Sequence, residues 1–144
     1  TVVNGNGTAA RVGEPVSIAF NPVTGVIYFT NQVATVFQFN VPTFTMTSFV
    51  GTNVVGAADA LRSSATVGIN AKLGVFADGA MALVHAAGTA GDVAVRRIPT
   101  GVDAMTSTLT TMIQTTVRAM TVDRVSQDVL LLLGSVPGNA SLQF

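Results

Sequence analysis

Apolar residues in this chain come in short blocks rather than at helical spacing. In "FNPVTGVIYFTN" (20–31), a turn built on Asn21, Pro22 and Gly25 separates two stretches that are apolar at almost every position. "FADGAMALVHAA" (76–87) and "VDRVSQDVLLLLG" (122–134) repeat the plan: a hydrophobic residue, a short turn on Asn or Asp, then an apolar strand. Phe20 precedes Phe76 by 56 residues, and Phe76 precedes Val122 by 46. Other landmarks keep the same phase. "VPT" at 41–43 returns as "IPT" at 98–100, "MTS" at 46–48 returns at 105–107, and "VFQF" (36–39) resembles "SLQF" (141–144). Self-similarity at such a period indicates a repeat architecture.

Each unit reads as up to four strands. The first ends at the Asn/Asp turn ("VSIAF", "LGVFA", "AMTVD") and the second follows it ("VIYFT", "MALVHAA", "VLLLLG"). The third alternates more ("TVFQFNV", "DVAVRRI", "ASLQF"), and the fourth is Thr-rich ("FTMTSFV", "TSTLTTMI"). Short runs rich in Val, Ile, Thr and Phe between Gly/Asn/Asp/Pro turns predict an all-β chain. The segment 56–65 is read as holding one helical turn.

Continuous apolar strands describe a sheet covered on both faces, whereas alternation describes a sheet with one wet face. Blades of a β-propeller are covered on both faces by their neighbours, most fully at the inner strands. The expected architecture is therefore about three four-stranded antiparallel propeller blades forming a single segment over 1–144. The blades are placed at 14–50, 66–113 and 117–144, with 1–4 as a spare outer strand. The alternative is a two-sheet β-sandwich. Ile27, Phe29, Leu83, Leu131 and Leu133 are expected to be nearly buried. Gly25 and Gly79 are expected to serve the inner turns with positive φ.

The residues that carry this pattern resemble the NHL-repeat family. "GNGTAARVGEPVSIAFNPVTGVIYFTN" (5–31) is similar to an NHL blade, with its Gly-rich lead, "G-x-P" and "I-A-F-N-P-x-T-G-x-I-Y-F-T-N". Residues 50–88 resemble the linker and inner hairpin of a following blade, with the family's "D-G" turn at Asp78–Gly79. The first unit lacks the basic residues that often follow the second strand, and "GINAKLG" (68–74) has no counterpart to the Pro of "GEP". The resemblance implies a propeller of a group that includes zinc-dependent lyases, calcium-assisted ester hydrolases and RNA-binding modules.

Composition narrows these options. The chain has 144 residues, the length of one ordinary domain, with 49% hydrophobic and 10% charged residues and a mean hydropathy of +0.56. Seven basic and seven acidic residues cancel, so no basic footprint for nucleic acid stands out. With no cysteine and one histidine, His85, a closed zinc site is not expected. His85 is read as a packed, hydrogen-bonded core histidine rather than a ligand or base. Asp78, Asp123 and Asp128 are read as turn formers rather than paired catalytic acids. No G-x-S-x-G motif supports a Ser-His-Asp arrangement. "GNG" at 5–7 neither follows a clear strand nor opens a helix, and is not read as a phosphate loop. Arg96 and Arg97 are read as part of a solvated strand. Trp is absent and Tyr28 is the only Tyr, which disfavours a lectin. No apolar run is long enough to span a bilayer as a helix.

Two sequons occur, at Asn6 and Asn139, both expected in loops as possible N-glycosylation sites. With low charge and no thiol, they point to an extracellular or cell-surface setting. The chain starts at Thr1 without a Met or signal peptide and is read as a processed product or part of something longer. The functional expectation is a non-catalytic interaction or structural module within an assembly or filament. Its expected partners are other copies or other protein chains, with no nucleic acid, no membrane span and no cofactor. Two other readings stay open: a hydrolase or lyase completed by another chain, and an RNA-binding module.

Overall fold

Apolar blocks separated by Asx turns become antiparallel strands throughout. The computed structural model describes residues 3–87, 92–101, 104–112, 116–134 and 140–143. Twelve strands occur among them: β1 (Gly5–Asn6), β2 (Ser17–Asn21), β3 (Val26–Thr30), β4 (Val36–Asn40), β5 (Thr45–Val50), β6 (Lys72–Val75), β7 (Met81–Ala86), β8 (Val93–Ile98), β9 (Ser107–Met112), β10 (Thr116–Val122), β11 (Val129–Gly134) and β12 (Ala140–Gln143). A 3-10 turn covers Gly7–Ala9. The expected all-β class holds. The strands form three antiparallel sheets, ordered β1-β5-β4-β3-β2, β6-β7-β8-β9 and β10-β11-β12. The segment read as a helical turn contains no helix. It contributes one closed turn, in which the Ala65 N–H donates to the Leu61 carbonyl at 2.8 Å.

The turn residues set where each hairpin folds back. Asn21 Oδ1 accepts from the Val23 and Thr24 amides, and Asp123 Oδ1 accepts from Val125 and Ser126. Asp78 Oδ1 accepts from Ala80. These are the local bonds that favour Asn and Asp in turns. Gly25 and Gly79 take the positive φ expected of them, 70° and 86°. The second hairpin is shorter, because Phe76 closes directly on Ala80. Consequently Phe20, Val75 and Val122 hold equivalent places, opposite Ile27, Met81 and Val129. The sequence alignment through Phe76 was thus one residue out.

The sheets stack face to face. Tyr28, Val36, Phe49 and Val50 of the first sheet pack with Leu73, Val75, Met81, Leu83 and Ile98 of the second, with Ala65 and Val67 of the connecting segment between them. The opposite face of the second sheet carries Val84, Val93 and Val95, which pack with Val117, Met120, Val129, Leu131 and Leu133 of the third. Phe76, Ala80 and Ala82 extend this contact to Val122. The second sheet is therefore buried on both faces, which is why β7 is apolar at nearly every position. The first strands lie side by side, with β6 touching both β2 and β10. Hydrogen bonds tie the sheets together: the Leu73 amide donates to Ser17 Oγ, Thr30 Oγ1 to the Ala71 carbonyl, and Asn21 Nδ2 to the Gly79 carbonyl.

Of the spare outer strand expected at 1–4, residues 1 and 2 lie outside the described residues. Gly5 and Asn6 pair with Met46 and Thr45 on β5 of the first sheet, and Val3 bridges Arg11. The segment then crosses the rear of that sheet, so that Ala10 helps to cover Phe29, Phe37 and Met46. Its cover stops short of β2. Ile18 and Phe20 remain 70% and 56% exposed, and Ile27 is only half-buried, against the expectation of near-complete burial. Phe29, Leu83, Leu131 and Leu133 are buried as expected.

Candidate functional site

A cleft of about 560 Å³ opens between the second and third sheets, lined by Phe76, Ala77, Asp78, Arg97, Leu109 and Gln127. The β6–β7 turn supplies Asp78, the end of β8 supplies Arg97, and the β10–β11 turn supplies Gln127. Arg97 pairs with Asp78 and lies over the Phe76 ring, 5.2 Å from its centroid, a cation–π arrangement. Gln127 Oε1 accepts from the Ala77 amide at 3.2 Å, which joins the two turns. The cleft combines an apolar wall, exposed Leu109 and one ion pair.

A smaller cleft of about 330 Å³ is lined by Ser48, Phe49, Val50, Gly51, Arg62 and Ser63. The Arg62 guanidinium lies 4.4 Å above the Phe49 ring and donates to the Thr100 carbonyl at 3.1 Å.

Arg96, expected on a solvated strand, is completely buried. It points to the other face of β8 from Arg97 and anchors the 56–66 segment. Its Nε and Nη2 donate to Asp59 Oδ1 at 3.1 and 2.7 Å, Nη1 to the Thr66 carbonyl at 2.5 Å, and Nη2 to the Ala58 carbonyl and Thr106 Oγ1 at 3.0 and 2.6 Å. Asp59 Oδ2 accepts the Thr108 amide. Burial pushes the Asp59 pKa up, but the Thr108 bonds and Arg96 outweigh it and hold the group below the usual value. The sequence signal was available: in a strand covered on both faces, two adjacent arginines cannot both reach water.

His85 is buried on β7, 3% exposed, as read from the sequence. Its Nδ1 accepts the Gly68 amide at 3.0 Å and lies 2.7 Å from the Ala86 carbonyl, while Nε2 is without a partner. Burial depresses its pKa to about 4. Asp78 is lowered chiefly by the Ala80 amide, with help from Arg97. Asp123 is lowered by the Val125 and Ser126 amides. All these shifts move away from neutrality, whereas general acid–base catalysis favours a pKa near the working pH.

His85 lies in the core on β7, whereas Asp78 and Asp123 sit in the β6–β7 and β10–β11 turns that Gln127 joins. Among the described residues, no group of three or more His, Cys, Asp and Glu could hold a metal ion. No helix among them is long and apolar enough to cross a membrane. Asn6, expected in a loop, lies on strand β1 paired with Thr45, where it is exposed and makes no capping bond through its side chain; Asn139 lies outside the described residues. Compared with family models, curated proteins and solved structures, the chain matches none.

Proposed function

We propose that the three sheets are consecutive blades of a β-propeller related in pattern to NHL repeats, and that the chain is a non-catalytic interaction or structural module. The observation that carries this reading is the alignment of β2, β6 and β10, with the middle sheet covered on both faces. A two-layer sandwich buries one face of each sheet; a stack around a line of first strands is the blade arrangement. At the cleft, the Ala80 amide and Arg97 hold Asp78 as a paired carboxylate. The exposed Asn6 sequon supports an extracellular or cell-surface setting.

Imaging the native particle tests the architecture. Sheets radiating from a common axis, with β2, β6 and β10 nearest to it, are expected. A closed two-layer sandwich would overturn the reading.

A further inference from the structure

Arg96 and Arg97 each carry a carboxylate of this chain, Asp59 and Asp78 respectively. Arg62 is fixed in place without one among the described residues. The turn that presents it is closed by the Ser64 and Ala65 amides, which both donate to the Leu61 carbonyl at 2.8 Å. The Arg62 amide donates to the Ala104 carbonyl at 3.0 Å, and Leu61 bridges Met105. The turn is thereby pinned to the segment that leads into β9.

The guanidinium is clamped on two sides. One face lies on the Phe49 ring, and that ring is itself buried and packed on Tyr28 with centroids 4.6 Å apart. Nη1 is engaged by the Thr100 carbonyl. A guanidinium carries five N–H donors in a rigid fork, and no described residue accepts from Nε or Nη2. An arginine held in this way has little freedom left to lose when it binds an anion.

The cleft of about 330 Å³ beside it is small, at the lower end of the roughly 300–1,000 Å³ of small-molecule sites. Ser48 and Ser63 bring hydroxyls to its lining, and Arg62 is the one charged residue there. Ser48 Oγ accepts from Asn4 Nδ2 at 3.2 Å, which leaves its own O–H to donate. One cation matches one negative charge, and the guanidinium fork matches the paired oxygens of a carboxylate. A doubly charged phosphate calls for more cationic partners than this lining offers. We infer that the cleft binds a small monocarboxylate, seated on the Arg62 guanidinium between Ser48 and Ser63. Its groups belong to β5, the connecting segment and Thr100, so the site stands apart from the blade reading.

Titration of the full chain with propionate at low ionic strength, followed by proton–nitrogen NMR, tests this. The Arg62 Nε–H and the Gly51 and Ser63 amides should shift together and saturate, while the Arg97 Nε–H, already paired with Asp78, stays in place. Arg62→Gln should weaken binding about tenfold or more. Arg62→Lys should recover only part of that loss, because it keeps the charge but not the fork. Inorganic phosphate should bind more weakly than propionate. The absence of a saturable shift at Arg62 overturns the inference, as do equal shifts at Arg97 or phosphate binding as tight as that of propionate. An Arg62→Gln chain with unchanged melting temperature and wild-type affinity overturns it as well. The wild-type shifts need no variant, so a poorly folded Arg62→Gln chain leaves the test intact.

Discussion

Arg96 and Arg97 are neighbours in sequence and opposites in circumstance. Alternation along β8 sends Arg96 into the packed side, where Asp59, Thr106 and two carbonyls surround it, and sends Arg97 to the cleft beside Asp78. Removing one partner of a buried, hydrogen-bonded pair strands the rest, so Arg96→Ala should cost about 3–5 kcal/mol. Arg97→Ala removes a partly solvated pair and should cost less than about 1 kcal/mol. Urea denaturation of the two variants checks this, and equal losses would contradict the assignment of faces. His85 makes a pH prediction. Its folded pKa of about 4 lies below the 6.5 of a free imidazole, so the unfolded chain binds the proton more readily. Its contribution is full above about pH 6.5, declines as pH falls towards about 4, and is lost below that. The loss is about 3 kcal/mol. His85→Leu should flatten stability against pH in that window; an unchanged slope would refute the role given to the ring.

At the scale of elements, the turns do much of the specifying. Asn21 and Asp123 hold four-residue connections through their own side chains, and Gly25 completes the first with a φ of 70°. Nothing lies within 4 Å of a Cβ built on Gly25, so Gly25→Ala should cost only the backbone strain, about 1–2 kcal/mol. Gly25→Asn should recover most of it, because Asn tolerates the left-handed region. Thermal unfolding of the pair measures the difference, and equal melting temperatures for Ala and Asn would count against the turn argument. The strands themselves were legible because apolar blocks and turn residues are local signals. The register of the second hairpin was not, because Phe76 and Val75 are both apolar and only the shorter turn distinguishes them. The helical turn expected over 56–65 does not form, for a related reason. Its Ala-rich composition suits a helix, but Asp59 and Thr66 are held by Arg96 of β8, and Ala60 by Thr106 just before β9.

For the whole molecule, the first sheet leaves Ile18 and Phe20 exposed and carries a sequon at its outer edge. Produced through a eukaryotic secretory pathway, the chain should carry a glycan on Asn6, read as a mass increase lost in Asn6→Gln; unmodified Asn6 would remove the main support for the extracellular setting. By itself, the sequence determined the all-β class, the three repeated hairpins and the buried character of β7. Those properties follow from hydrophobic period and turn chemistry within about a dozen residues. Only the tertiary structure decided that Gly5 and Asn6 add to the first sheet, that Arg96 is enclosed and Arg97 is not, and that Ile18 and Phe20 stay in water. Each of these depends on which distant segment covers a given face, and a strand's own residues carry apolarity but not the identity of the neighbour.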